Sequence, residues 1–467
     1  MGSSPKRRRT FCSVSLIAML AAAAASAQTS GTQTEKPPPA AETAPARPPA
    51  TPLPAVAQIG PAREIKLAEN TWFRFGAQIQ AWFRALQDPI KQPDGSDGGY
   101  AFDFFCRRCR FFSTGSVVKD VYFNVLFEAG NTGRADPATG AKTATTAVLL
   151  DAYGQVKFAD AFWLSGGQIL LPLTRNGMQP TTTFVSLDVS NAAQTPILQG
   201  NSFVLRDLGI QANGFFVNNH LEYRVGLFQG SRQPGTTTQL ASHNGPRLVT
   251  SLALNFWDPE TGYVNGGHYY GTRRVLGVQA NFDYQQFRKA GPATTPFAVT
   301  AGANVDKNAY YGFSGAAFIN LPLAGTPNPR GGDEIVGLLQ FGYYDGGLRG
   351  AITAPTNFGT YPLILKQTNY LAEAGYYNQA GHFSVFGKWE KRKISEDYPL
   401  AFRQAIATGA APAPSQSWYA AGLKYYVAPA NFMNFTLQYE RVQNDDAPGT
   451  AQSGTNNITF QMQTILY

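Results

Sequence analysis

One stretch near the middle of the chain constrains the fold more than any other. Residues 148–158 read VLLDAYGQVKF, and small or apolar side chains alternate there with mostly polar ones. Side chains of an extended strand point alternately to opposite faces, so this period of two predicts a strand with one oily and one wet face. A short turn at 159–161 leads into a second strand, and an irregular segment follows from Pro172 to about Phe203. The unit is therefore a hairpin followed by a long loop.

The same unit recurs along the chain, and we predict sixteen strands between about residue 71 and the end. The long connections fall near 86–101, 129–146, 172–203, 229–246, 287–308, 345–369, 392–417 and 443–457. Shorter connections lie between them, although those near 257–274 and 322–334 exceed a tight turn. Long loops at one end and short turns at the other are typical of an outer-membrane barrel, not of a soluble β-sandwich. The sequence thus predicts an all-β fold, a sixteen-stranded antiparallel transmembrane β-barrel with long extracellular loops and shorter periplasmic turns.

The N-terminal region has the pattern of an export signal. Residues 6–9 are basic, 16–25 form a short apolar core, and 25–27 read Ala-Ser-Ala, a typical cleavage site. We expect a signal peptide at 1–27 that is cleaved after Ala27, a disordered Pro- and Ala-rich periplasmic linker at 28–65, and the barrel at 66–467. These features predict that the mature protein resides in the bacterial outer membrane, in contact with its lipid.

The charge balance argues against a nucleic-acid partner. Charged residues are 15% of the chain, compared with about 25% in soluble domains. Loss of the four cations of the signal lowers the formal net charge from +8 to +4. Such a weakly basic chain has no strong field for a polyanion.

Two cysteines, Cys106 and Cys109, form the motif CRRC in the predicted second strand. Residues three apart in a regular strand point to opposite faces and lie about 10 Å apart, too far for a disulfide. No second cysteine pair and no histidine lie beside them. We therefore predict two small apolar side chains, with a metal or redox role as the alternative, and expect no cofactor and no metal.

Four stretches taken together resemble the family of phosphate-selective porins O and P. They are FCRRCRFFSTG, LLDAYGQVKFADAFWLSGGQILLPLTR, RDLGIQANGFFVNNHLEYRVGLFQG and WYAAGLKYYVAPANFMNFTLQYERV, and they span roughly 71–467 in the family's order. The resemblance implies a sixteen-stranded, trimeric outer-membrane porin, a water-filled passive diffusion channel for small hydrophilic solutes. It does not by itself imply phosphate. The alternatives are a plugged structural or adhesive barrel and an outer-membrane hydrolase.

Cations on the predicted inward face could meet solutes that cross the barrel. The candidates are Arg74, Arg84, Arg108, Arg110, Lys157, Arg175, Arg224, Arg247, Lys388 and Lys424. Guanidinium groups in a water-filled pore attract anions and can form paired hydrogen bonds with phosphate. Acidic residues are predicted on the same face, namely Glu128, Asp151, Glu222, Asp283, Glu373, Glu390 and Glu440. Because both charges are present, the alternatives are a general mixed-charge pore without specificity and a pore that prefers anions. We predict a modest anion preference, with phosphate as one candidate anion, and no high-affinity phosphate site.

The third long connection is a candidate constriction. It carries Arg175, Asn176, Gln179 and Asp188, and the resemblance implies that it folds into the channel. We predict that 174–201 enters the lumen and sets its narrowest point.

Two further expectations concern Arg107 and the histidines. By parity Arg107 points to lipid, which costs about 2–4 kcal/mol at mid-membrane, so we expect it near a rim or a neighbouring subunit. The histidines are His220, His243, His268 and His382, and none lies near a serine and an acid in sequence. We therefore predict no catalytic residues and no enzyme activity.

Overall fold

The computed structural model describes residues 64–135, 141–142, 147–192, 194, 205–230, 245–286, 309–346, 365–407, 414–428, 432–448 and 451–466. All of them belong to one compact unit, Pro52–Tyr467. The predicted signal peptide, nearly all of the predicted linker, and Tyr467 lie outside the described residues.

Seventeen strands form one antiparallel sheet in the described residues. They are β1 (Ile65–Ala68), β2 (Thr71–Gln87), β3 (Tyr100–Val118), β4 (Val121–Glu128), β5 (Val148–Ala159), β6 (Phe162–Leu170), β7 (Arg206–Phe216), β8 (Leu221–Phe228), β9 (Arg247–Asn255), β10 (Val275–Gln286), β11 (Ala309–Pro322), β12 (Glu334–Asp345), β13 (Gln367–Asn378), β14 (Phe383–Ile394), β15 (Gln416–Ala428), β16 (Met433–Asn444) and β17 (Gly454–Leu466). The described residues also include a 3-10 turn (Asn176–Met178) and a helix, α1 (Leu400–Ala407). None of the helices in this part of the chain has both the length and the apolar composition needed to cross a membrane.

Sixteen of the strands, β2 to β17, close into a barrel. Each pairs with its neighbours in sequence, and β17 pairs with β2 through contacts such as Phe460 opposite Phe83. The short β1 adds only a hairpin arm on β2. Closure leaves no open sheet edge between these strands, which is the condition for placing a sheet in lipid. The predicted sixteen-stranded antiparallel barrel is therefore confirmed, and its first strand begins at Thr71, as expected.

The two faces of the barrel wall differ sharply. On β3, Phe102, Phe104 and Phe111 are 68%, 69% and 67% exposed on the outside. On the inward face of the same strand, Arg108 is only 4% exposed. Continuous exposure of large apolar side chains is costly in water, so the outer face is suited to lipid.

A bulge changes the alternation at the start of β5. The pairing of β4 with β5 shifts between Leu126 and Phe127, so Leu150 is an extra residue there. As a result Leu149 is exposed and Leu150 is fully buried, the reverse of the faces predicted from sequence. From Asp151 onward the predicted polar face is the inward one.

Two connections of the described chain fold into the barrel interior. The third loop, L3 (residues 171–205), leaves from the end that carries the long loops. The β9–β10 connection (residues 256–274) leaves from the opposite end, because successive connections alternate between the ends. Apolar residues of both segments pack together and against the wall, for example Met178 in one cluster with Tyr263, and Val185 in another with Tyr269. Part of the interior is thus a packed core.

Candidate channel constriction

Backbone groups of L3 are hydrogen-bonded to side chains of the barrel wall. The Ser314 hydroxyl donates to the Leu173 carbonyl at 2.6 Å, and the Asn176 amide donates to Gln340 Oε1 at 3.0 Å. These bonds fix the first half of L3 against β11 and β12. An irregular segment can lie inside a barrel only when its backbone groups find such partners.

The second half of L3 is held by strands farther round the barrel. The Ser186 amide donates to Glu373 Oε1 at 3.1 Å, and the Ala192 amide donates to Glu390 Oε2 at 3.0 Å. Lys424 Nζ donates to the carbonyl of Phe184 at 2.6 Å. The described part of the predicted constriction loop therefore lies inside the barrel, whereas 195–201 falls outside the described residues.

Two adjacent arginines of β3 form ion pairs with a single carboxylate of L3. Arg108 Nη2 lies 2.5 Å from Asp188 Oδ1, and Arg107 Nη2 lies 2.9 Å from Asp188 Oδ2. Arg108 also donates to Gln80 Oε1 at 2.8 Å. Burial disfavours the charged form of Asp188, but Arg107 and Arg108 outweigh it and hold the pKa of this carboxyl below its usual value.

Arg110 and Arg206 lie beside Arg107 and Arg108 and add two more cations to this part of the barrel wall. Arg110 pairs with Glu128 and donates to Thr181 Oγ1 of L3 at 2.9 Å. Arg206 Nε lies 3.0 Å from Asp151 Oδ1. The arginine cluster consists of Arg107, Arg108, Arg110 and Arg206. Among the described residues that ion-pair with it, three carboxylates face four guanidinium groups, so the cluster keeps one positive charge in excess.

A cavity of about 140 Å³ lies between this cluster and L3. Its lining includes Arg108, Arg110, Arg206 and Asp151 from the wall, with polar side chains of L3 such as Thr181. The volume admits a few waters or a small hydrated ion. Much of the remaining lining is apolar and includes Phe112, Phe184 and Val189. Arg108 and Arg110 also donate to the neutral acceptors Gln80 and Thr181, so their guanidinium groups are not bound by carboxylates alone.

L3 is also joined to the β9–β10 connection inside the barrel. Arg175 donates to both carboxylate oxygens of Glu260, at 2.6 and 2.7 Å. Backbone bonds reinforce this pair, because the amide of His268 donates to the carbonyl of Thr183 at 3.0 Å. The predicted solute-facing Arg175 therefore joins two chain segments.

Arg224 anchors the same connection to the wall. Its guanidinium donates to the carbonyls of Gly262 and Tyr263 at 3.0 and 2.7 Å, and it also pairs with Glu222. The ring of Tyr263 stacks on Tyr153 of β5 with centroids 4.9 Å apart. The β9–β10 connection is thus held at several points inside the barrel, whereas its sequence predicted only a connection longer than a tight turn.

The remaining candidates are dispersed and mostly paired. Arg247 pairs with Asp283 at 2.5 Å, Lys388 with Glu390 at 2.6 Å, Lys157 with Asp160 at 2.6 Å, and Arg74 with Glu64 at 3.0 Å. Lys157 and Arg74 lie near the short-turn end of the barrel. Arg84 lies over the ring of Trp82, 5.5 Å from its centroid, and forms no ion pair within the described residues. The structure therefore brings only Arg108 and Arg110, of the ten candidates, into the arginine cluster.

A bulge in β3 contradicts two predictions from the sequence. Gln80 pairs with Arg108, but the next residue, Ala81, pairs with Cys106, so Arg107 is an extra residue. The extra residue turns Arg107 inward, not toward lipid or a rim as predicted. It also brings Cys106 and Cys109 to one face with their Cα atoms 6.4 Å apart, and they form a disulfide. The prediction of two unlinked apolar side chains is wrong.

The two missed arginines differ in how far the sequence could have revealed them. The motif CRRC was itself a signal for a bulge, because the disulfide can close only if the strand gains a residue. Arg206 stands at the first position of β7, where strand parity gives no guidance.

Two of the histidine rings have defined partners in the described residues. His220 Nδ1 lies 2.8 Å from the carbonyl of Asn255, and His268 Nδ1 lies 2.7 Å from Glu334 Oε1. No group of three or more His, Cys, Asp or Glu side chains suited to a metal ion occurs in that part of the chain.

Comparison with solved structures shows the fold. OmpF of Salmonella typhi, in complex with daunomycin, has a TM-score of 0.54 at 10% identity, covering 86% of this chain and 100% of that one. The outer membrane channel DcaP of Acinetobacter baumannii has a TM-score of 0.48 at 9% identity, with 86% and 99% covered. OmpT of Vibrio cholerae, in its trimer form, has a TM-score of 0.43 at 9% identity, with 84% and 98% covered.

Sequence comparisons do not assign the chain to a family. No family model matches the chain, and no curated protein matches it either. Membership of the phosphate-selective porin family therefore stays a prediction. What is shown is that this chain has the sixteen-stranded barrel fold that it shares with OmpF.

Proposed function

We propose that this protein is an outer-membrane porin, a passive diffusion channel for small hydrophilic solutes with a modest preference for anions. The observation that carries the proposal is the arginine cluster beside L3. Its four guanidinium groups pair directly with three carboxylates, and Arg108, Arg110 and Arg206 line a cavity in the barrel interior. Charged side chains at the narrow part of a pore set which ions enter it. The apolar outer face supports a place in lipid.

The preference is modest because most of the positive charge is already neutralised. Asp188, Glu128 and Asp151 each accept an arginine of the cluster. The mature net charge of +4 expected from the sequence provides no large attractive field. A high-affinity phosphate site is therefore not part of the proposal.

Single-channel recording in a planar bilayer tests both parts. We expect discrete conductance steps, and a reversal potential in a KCl gradient whose sign corresponds to chloride permeating faster than potassium. A purified, folded protein that gives no steps would contradict the channel. Steps with a potassium-selective reversal potential would contradict the anion preference while leaving the channel intact.

We further propose a homotrimer in the bacterial outer membrane, released from its signal peptide after Ala27. The export signal and the resemblance to trimeric porins support this proposal. N-terminal sequencing of protein extracted from outer membranes should begin at Gln28. Native mass spectrometry in mild detergent should give three times the mass of the processed chain. A single-chain mass, or a chain that still carries residues 1–27, would contradict it.

A second candidate function is a barrel that is closed at rest. The observation that favours it is the apolar packing of the β9–β10 connection against L3, in which Arg175 and Glu260 form a buried pair. Replacing 258–272 by a short Gly-Ser turn separates the two candidates. An open porin should gain conductance by a modest factor, whereas a closed barrel should conduct only after the replacement.

A further inference from the structure

We propose that the Cys106–Cys109 disulfide is a positioning element for the constriction, because it holds the bulge that turns Arg107 into the lumen. The inference rests on the proposed channel function, in which the arginine cluster sets ion preference. It assigns to the CRRC motif a role in selectivity beyond general stability. Arg107 is the residue through which the disulfide acts.

The geometry of β3 links the disulfide to the bulge. In a regular strand, side chains three residues apart point to opposite faces about 10 Å apart. The extra residue at Arg107 restores a common face, and the two Cα atoms come within 6.4 Å. The disulfide can exist only while the bulge exists, so the covalent bond opposes any slip of β3 back to regular pairing.

Neighbouring backbone bonds show that the bulge is built into the wall. The amide of Cys106 donates to the carbonyl of Thr132 at 3.0 Å, and the amide of Asn131 donates to the carbonyl of Arg107 at 3.2 Å. The amide of Ala129 donates to the carbonyl of Cys109 at 2.8 Å. The chain after β4 therefore pairs with the bulged stretch and satisfies its backbone.

The consequence of the bulge is a pair of consecutive arginines on one face. Arg107 and Arg108 each take one oxygen of Asp188, at 2.9 and 2.5 Å. Arg107 also lies over the ring of Trp82, 5.3 Å from its centroid. Without the bulge Arg108 and Arg110 would stay inward and Arg107 would not. The cluster would then lose its excess positive charge, and Asp188 would lose one of its two arginine partners.

The test is a double-mutant cycle on the intact, refolded protein. It compares the natural protein, Cys106→Ser with Cys109→Ser, Arg107→Ala, and the combination of all three changes. In each of the three variants, the reversal potential in a KCl gradient should move by the same amount toward the value of a non-selective pore. Equal shifts mean that the disulfide acts through Arg107. A disulfide variant that unfolds at lower temperature but keeps the natural reversal potential would overturn the proposal.

A second measurement does not depend on conduction. Hydrogen exchange at 184–192 of L3 should become up to about fivefold faster in the Cys106→Ser, Cys109→Ser variant, as expected when one ion pair is lost. Exchange at 256–274, which Arg107 does not touch, is the internal control and should stay the same. Unchanged exchange at 184–192 would overturn the inference even if the protein proves not to be a channel. Two free thiols in the denatured, unreduced protein would do so as well.

Discussion

Arg108 Nη2 lies 2.5 Å from Asp188 Oδ1, so the wall of the barrel and the loop that crosses it are joined by a largely buried ion pair. The pair does two things at once. It fixes L3 in place, and it neutralises part of the positive charge that a permeating anion would meet. Asp188 therefore limits the selectivity that the arginines alone would confer.

Asp188→Asn should increase the anion preference. The substitution keeps the size of the side chain but removes the negative charge between Arg107 and Arg108. The reversal potential in a KCl gradient should shift toward that of chloride. Asp160→Asn is the matched control, because Asp160 pairs with Lys157 and is well exposed near the short turns, and it should leave the potential unchanged. A shift of equal size in both variants would contradict the local role of Asp188.

Acidification should loosen L3 only well below neutral pH. The pKa of Asp188 is lowered in the folded barrel by Arg107 and Arg108 against the opposing effect of burial. Its contribution is therefore fully present above the ordinary Asp value of about 3.9 and is lost as the pH falls through the lowered value. Current noise should stay constant from pH 7 to about pH 4 and rise below it, and the protection of the amides at 184–192 relative to their intrinsic exchange rates should stay constant over the same range and fall below it. Asp188→Asn should show the looser behaviour already at pH 7.

Strand parity predicted the inward faces of Arg108 and Arg110 because the alternation is a local property of an extended chain. It failed at Arg107 and Leu150, since a bulge is set by pairing with the neighbouring strand. It also gave no partners for the cations. Arg175 was predicted to meet solutes, yet it pairs with Glu260, which is 85 residues away in sequence.

The β9–β10 connection shows a different limit. Its length was visible in the sequence, but its inward course was not. Tyr263, Val264 and Tyr269 are large apolar side chains within seven residues of a connection expected to be a turn, and they pack inside the barrel. Such a group in a presumed turn is a signal for burial, although the packing partners on β5 and β11 come only from the closed fold.

Arg175→Ala should destabilise the barrel far more than a paired replacement. The single change removes the cation that pairs with the buried Glu260 carboxylate, although Glu260 keeps hydrogen bonds such as that from the Tyr269 hydroxyl. The cost is up to about 3–5 kcal/mol. Arg175→Met combined with Glu260→Leu removes both charges and should recover most of the loss. Thermal unfolding in detergent, followed by the gel mobility of heated and unheated samples, measures the difference. If the double variant is as unstable as the single one, the pair does not act as a unit.

Shortening either inner segment should raise conductance, and the two effects should differ. L3 contacts several strands of the wall, for example β2 through Gln78 and β16 through Gln438. The β9–β10 connection enters the barrel from the opposite end. Deleting 174–201 should increase single-channel conductance and weaken the preference among ions. Although Asp188 is lost with the loop, ions can then pass farther from the arginines of the wall. Replacing 258–272 should increase conductance and leave the preference in place. Unchanged conductance after deletion of 174–201 would rule out L3 as the narrowest point.

Arg108→Ala combined with Arg110→Ala should reduce or reverse the anion preference. The double change leaves Glu128 without Arg110 and leaves Asp188 with only Arg107, so the cluster passes from one excess positive charge to one excess negative charge. The matched control is Arg74→Ala with Lys157→Ala, which also removes two cations but from pairs near the short turns. Chloride over potassium permeability should fall in the first protein and stay the same in the second. If it stays the same in both, the arginines of β3 do not set selectivity. Phosphate can be added at millimolar concentration to the same recordings. If it blocks chloride current in the natural protein but not in the Arg108→Ala, Arg110→Ala variant, these guanidinium groups bind phosphate despite their pairing with carboxylates.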